Sequence, residues 1–148
     1  MKTFLYLADD IQALASGKVL AVGLFTDHVI VVNSQEPPSQ EKPGAVPFSL
    51  LIAIAEVPPG HYEMKVVVLD PNGAATNYDI ENTSDVPPGG SMVLAVKCNP
   101  FIFAEIGKYT VRTTVNGEVF ENTFELRYAK LDMAPEEKLL DAVFGKTP

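Results

Sequence analysis

The chain has no tryptophan, one cysteine (Cys98), two histidines, and eleven basic residues against nineteen acidic ones in 148 positions. Each scarcity removes a class of function. A lone cysteine cannot build a disulfide framework, so a reducing, cytoplasmic setting is the expectation. His28 and His61 lie far apart, and no second histidine or cysteine stands at ligand spacing from either, which argues against zinc. The net charge is -8 and the Lys and Arg residues are scattered. Phosphate-rich partners are recognised by clustered cations, so neither nucleic acid nor an anionic membrane is expected as a partner. An acidic surface of this kind serves solubility. Long apolar runs are also missing. Phe4 to Ala8 is halted by Asp9-Asp10, short of the roughly 7–15 apolar residues of an export signal. Nothing approaches the ~18 residues of a membrane span.

What the chain does have is 47% apolar content, enough for one substantial core. Its pattern is the alternation of strands, most clearly near the end. Tyr109, Val111, Thr113 and Val115 alternate with Lys108, Thr110, Arg112 and Thr114. Asn116-Gly117 then supplies the two left-handed positions of a tight hairpin turn, and a return strand runs to Tyr128. Earlier strands are expected over Thr3 to Leu7, Lys18 to Phe25 and His28 to Val32, with Asp9-Asp10 opening a loop over Ile11 to Ser16 or, as the alternative, supplying half of a calcium site. Asn33 to Pro47 carries four prolines and reads as a long loop. Phe48, Leu50, Ile52 and Ile54 form one face of the next strand. Leu51, Ala53 and Ala55 make its other face apolar too, the mark of a central strand covered on both sides. Tyr62 to Val68, a short strand over Ala75 to Ile80, and Met92 to Cys98 follow, with Asp70-Pro71-Asn72-Gly73 as a turn. Two strand-opening patterns recur: Val-Pro-Pro-Gly at Val57 and Val86, and Gly-x-Tyr at Gly60 and Gly107.

The total, roughly eight or nine strands, predicts an all-β, immunoglobulin-like antiparallel β-sandwich over residues 1–130, with Gly107-x-Tyr109 resembling the tyrosine corner of such folds. Beyond Tyr128 the period changes. Pro135-Glu136-Glu137 and Gly145 bracket a short C-terminal helix within residues 131–148, whose Leu139, Leu140, Val143 and Phe144 would share one face that must either fold back on the sandwich or bind a partner chain.

Three stretches together carry a family resemblance: Gly17 to Asp27, Gly60-x-Tyr62 through Gly73, and Gly107-x-Tyr109 to Phe124. The chain resembles a group of small bacterial proteins classed as a domain of unknown function. The resemblance implies a bacterial origin and an immunoglobulin-like β-sandwich, and it brings no activity, substrate or catalytic residue with it.

Little chemistry is visible. Asp27 adjoins His28, but no Gly-x-Ser-x-Gly elbow is present and a non-enzymatic protein is expected. Cys98 shares a face with Met92, Leu94 and Val96 and reads as a small buried hydrophobe. Asp70, Asn72, Asp79 and Asp85 are candidate calcium ligands, since such sites use hard oxygen donors on loops; a turn before glycine would contain Asp70 and Asn72 anyway. Tyr78, between Asn77 and Asp79, is the aromatic best placed to stack on a ligand. The expectation is a module for protein–protein association or assembly, without a cofactor, with a protein partner or a second copy of itself. The alternative is a small-ligand module that binds calcium or a saccharide near Asp70 to Asp85.

Overall fold

The computed structural model describes residues 1–14 and 18–130. They form nine strands: β1 (Lys2–Ala13), β2 (Val19–Leu24), β3 (Val29–Ser34), β4 (Gly44–Ala55), β5 (Gly60–Leu69), β6 (Ala75–Val86), β7 (Met92–Phe103), β8 (Gly107–Val115) and β9 (Glu118–Lys130). The fold is all-β among the described residues. A four-stranded sheet has the order β2-β1-β4-β7, and a five-stranded sheet the order β3-β9-β8-β5-β6. One apolar core lies between them, drawing Leu5, Leu50, Ile52 and Leu94 from the first sheet and Val66, Val68, Val111 and Leu126 from the second. At its centre Phe101 meets Phe48 (ring centroids 5.2 Å apart) and Tyr109 (5.4 Å). Period-2 alternation is what allows each strand to supply one such face.

The closing hairpin matches its sequence signature. Asn116 and Gly117 have φ of 47° and 84°, the left-handed pair that a two-residue turn requires. Asn116 also works beyond the turn: its Oδ1 accepts the Glu63 N–H at 2.7 Å and its Nδ2 donates to the His61 carbonyl at 3.1 Å, tying the hairpin to β5.

Four expectations are corrected. The sheets are not wholly antiparallel, because β3 runs parallel to β9. The chain leaves the first sheet at Thr26–His28 and joins the edge of the second; His28 Nε2 donates to the Leu5 carbonyl at 2.8 Å, while the His28 carbonyl accepts the Glu125 N–H at 2.8 Å. Asp9 and Asp10 do not open a loop but continue β1, whose Ile11 is buried. Asp10 lies 3.8 Å from Lys97 and accepts from Gln12, and these partners, Gln12 first, hold its carboxyl below the usual aspartate value. Asp9 rests against Gly23, whose φ of 67° favours glycine and whose missing Cβ leaves room for the carboxylate.

The proline-rich loop is shorter than expected, since β4 already begins at Gly44. Pro47 is accommodated where the β4–β7 register shifts between Val46 and Phe48, the position at which a strand tolerates a missing N–H. Finally, β6 extends through to Val86 rather than stopping at Ile80. The expected C-terminal helix, with Leu139, Leu140, Val143 and Phe144, lies outside the described residues.

Candidate interaction face

Residues directly opposite one another in an antiparallel pair project to the same side of the sheet. In the four-stranded sheet this rule builds an outer face row by row. Phe4, Ala53 and Val93 make one row, and Tyr6, Leu51 and Ala95 the next. A third row runs Leu24, Ala8, Ser49, Lys97, after which Val22 sits opposite Asp10 and Leu20 opposite Gln12. Phe4, Tyr6, Leu20, Val22, Leu24 and Val93 are each 41–55% exposed, and they are six of the eleven large apolar side chains most open to solvent among the described residues. An ion pair, Lys2–Glu56 at 3.5 Å, stands at one end of the face, and a second, Lys97–Asp10 at 3.8 Å, crosses it at the row of the buried Ala8 and Ser49, with Val22 and Leu20 beyond.

The outer face of the five-stranded sheet is built differently. Its rows read Asp79, Val67, Arg112, Glu121 and Glu81, Lys65, Thr114, Val119. Lys65 pairs with Glu81 at 3.7 Å and Arg112 with Glu121 at 3.6 Å. This is the polar exterior of a sheet that faces water. An open, polar groove of about 710 Å³ lies across it, lined by Glu63, Lys65, Glu81, Asn82, Thr114 and Asn116 among others. The contrast between the faces decides where association energy is available: apolar surface removed from water contributes roughly 25 cal/mol per Å², whereas exposed ion pairs contribute little.

The four calcium candidates are not brought together. Asp70 Oδ1 accepts the backbone N–H groups of Asn72 and Ala74 at 2.9 Å each, the ordinary work of an aspartate opening a turn. Asn72 Nδ2 donates to Glu105 at 2.7 Å and 2.8 Å. Asp79 and Asp85 lie on β6 opposite Val67 and His61, about 20 Å apart along the strand. Asp85 meets His61 Nδ1 at 2.7 Å. Among the described residues no three His, Cys, Asp or Glu side chains gather as a metal-holding group.

Tyr78 joins the sheets. Its hydroxyl donates to the Pro100 carbonyl at 3.0 Å and accepts the Ile102 N–H at 2.7 Å, and its ring lies 4.6 Å from that of Phe101. One face of the ring and the whole hydroxyl are therefore occupied by β7. Asp27 bonds the Val29 N–H at 3.2 Å, completing its own turn while His28 reaches across to Leu5. Cys98 is fully buried, and burial pushes its thiol up to about 12. Such a group is not a nucleophile near neutral pH.

Both Gly-x-Tyr patterns form the same device. Tyr109 Oη donates to the Glu105 carbonyl at 2.7 Å, and Tyr62 Oη to the Pro58 carbonyl at 2.6 Å, each four residues upstream. Tyr109 is raised to about 12 by burial first, then by the nearby Asp70 and Glu105 carboxylates.

The outer face was half visible in the sequence. The apolar Leu51, Ala53 and Ala55 signalled it, although they are only half-buried rather than covered. Phe4, Tyr6 and Val93 join them only once strand neighbours are known.

The chain matches no family model and no curated protein. Among solved structures it has a likeness to Pseudomonas fluorescens alkylpurine DNA glycosylase AlkC bound to DNA containing an abasic site analog, at 15% identity and a TM-score of 0.29. The alignment covers 66% of this chain and 27% of that one, so the chain spans about a quarter of the glycosylase chain's length, and likeness at this level carries no argument.

Proposed function

We propose that this chain is a non-enzymatic, immunoglobulin-like β-sandwich module for protein association, and that the outer face of its four-stranded sheet is the docking surface. The fold reading is supported by strand order. β1, β4 and β7 stand in one sheet as strands A, B and E do in that architecture, and β8 and β5 sit centrally in the other as F and C do, with β9 beside β8 as G. Tyr109 lies near the start of β8 with its hydroxyl on an upstream carbonyl, in the manner of a tyrosine corner.

The observation that carries the association reading is the contrast between the two outer faces. A contiguous apolar patch rimmed by charged residues marks an interaction surface, and here it spans all four strands of one sheet while the other sheet is laced with ion pairs. The test is a photo-reactive phenylalanine placed at Tyr6 or, as control, at Glu121 on the opposite face, in cells of the native host. Covalent protein adducts are expected from position 6 and not from position 121. Equal yields, or none from either, would refute the reading.

A further inference from the structure

We infer that the occupant of this face is a second copy of the same chain, packed sheet against sheet about a twofold axis; this rests on the association reading above. An isologous contact requires one patch to be complementary to itself. The face meets that requirement in shape. Phe4 and Tyr6 form an aromatic ridge along β1, and beyond it Ala53 on β4 and Ala95 on β7 lie diagonally between the larger Leu51 and Val93 and make a shallow trough. A twofold axis between ridge and trough sets the ridge of each copy into the trough of the other, with the sheets ~10 Å apart.

It meets it in charge as well. The chain carries a net charge of -8, so two copies repel wherever acidic surfaces face one another. On this face the charges are Lys2 with Glu56 at one end and Lys97 with Asp10 across the row of Ser49, two neutral pairs. Two copies therefore meet here without net repulsion, and β2 adds six residues, Val19 to Leu24, with no charge at all.

The area is also sufficient. The six most exposed apolar side chains offer on the order of 500 Å², and Leu51, the alanines and the stems of Lys2 and Lys97 bring the face toward the roughly 800 Å² per partner of a standard interface.

The decisive experiment is light scattering behind a sizing column on the full chain, over a concentration series, with two single variants. Tyr6→Glu places a charge on the ridge and Ala95→Lys one in the trough; both sites are solvent-exposed, and retention of the β circular dichroism spectrum with cooperative melting verifies folding. The wild type is expected at twice the 16.0 kDa chain mass. Each variant alone should dimerise at least about tenfold more weakly. An equimolar mixture should recover dimer, because the carboxylate introduced on the ridge of one copy then faces the ammonium introduced in the trough of the other. A monomeric wild type at every concentration overturns the self-pairing; if position 6 still cross-links to a different protein, the association reading survives it. A wild-type dimer that both variants leave intact overturns self-pairing through this surface, and the association reading then stands or falls with the position 6 cross-link to a different protein. Variants that weaken the dimer without rescue on mixing overturn the twofold ridge-into-trough arrangement.

Discussion

Removing the Tyr78 hydroxyl, and then the whole side chain, separates two roles for this residue. Its hydroxyl makes two hydrogen bonds to β7, to the Pro100 carbonyl and from the Ile102 N–H, at 3.0 Å and 2.7 Å. A typical bond contributes about 1 kcal/mol net. Both lie where water can replace the lost partner, so Tyr78→Phe should cost about 1–2 kcal/mol in total. Tyr78→Ala also removes the contact with Phe101, 4.6 Å between ring centroids. A fully buried ring costs about 3–5 kcal/mol on truncation to alanine, so this half-buried one should add about 2, for a total near 3–4. Urea unfolding measures both, with an unchanged m-value confirming that the transition is the same. Were Tyr78 a ligand platform alone, the phenylalanine variant would keep its stacking surface and lose no stability. Phe and Ala variants both within about 0.5 kcal/mol of wild type would refute the sheet-joining role.

The two tyrosine devices should be separately measurable: Tyr109→Phe and Tyr62→Phe each remove one bond to an upstream carbonyl and should each cost about 1 kcal/mol in urea unfolding, while two silent variants would remove the bonds from the stability account. Thr113 is fully buried and its Oγ1 has no hydrogen-bond partner among the described residues. Thr113→Val should therefore raise stability by about 1 kcal/mol, and a loss of similar size would mean that the hydroxyl is satisfied after all. Cys98 is raised from 9.0 to about 12 by burial; since its folded value lies above its unfolded one, the stability it contributes is complete below pH 9 and is lost as pH rises toward 12. Melting temperature should fall over that window, less steeply for Cys98→Val, with a residual fall from Tyr109, which burial and nearby carboxylates raise from 10.0 to about 12. Superimposable wild-type and Cys98→Val profiles would refute this.

What could be read from the sequence follows from which interactions are local. The Asn116-Gly117 turn, the Tyr109 to Val115 alternation and the buried face of Met92 to Cys98 are set by neighbours in the chain, and all stand in the structure as expected. The length of β1 was not legible, because Asp9-Asp10 is a turn signal in isolation. It becomes strand only when Gly23 leaves room for Asp9 and Lys97 arrives for Asp10, from 14 and 87 residues away. The parallel pairing of β3 with β9 depends on a crossing between sheets that no local pattern encodes. Candidate sites divide the same way. Asp70 and Asn72 are calcium candidates and turn formers alike in the sequence, and the turn bonds are local, whereas the partners of Asp85 and Tyr78 are His61, Pro100 and Ile102, known only once β6 lies between β5 and the edge of β7. The outer face of the four-stranded sheet is the extreme case, being assembled from β1, β2, β4 and β7 by register alone.

An open sheet edge offers unpaired backbone groups to any other strand, and folded proteins blunt such edges with charge, proline or cover. Three of the four edges here are managed in that way. β6 carries Asp79, Glu81 and Asp85, β7 carries Lys97 and Pro100 and is bridged by Tyr78, and β3 leads into the loop of Pro37, Pro38 and Pro43. β2 has no charge and no proline; its protection is the bend at Gly23, where φ is 67°. The Leu14 N–H bonds the Lys18 carbonyl, which places the hydrogen-bonding groups of Leu20 and Val22 toward β1 and leaves those of Val19 and Ala21 pointing outward. Only a short stretch, Val19 to Val22, is then available for edge pairing before the bend interrupts it. The face, by contrast, carries exposed apolar side chains on every strand, from Leu20, Val22 and Leu24 on β2 through Tyr6 and Phe4 on β1 to Val93 on β7. Because burial of apolar area scales with surface and a truncated edge offers few ladder bonds, packing across the face outweighs pairing along the edge. The same contact that covers Phe4 and Tyr6 also shelters the outer side chains of β2, an edge strand with no charge and no proline of its own.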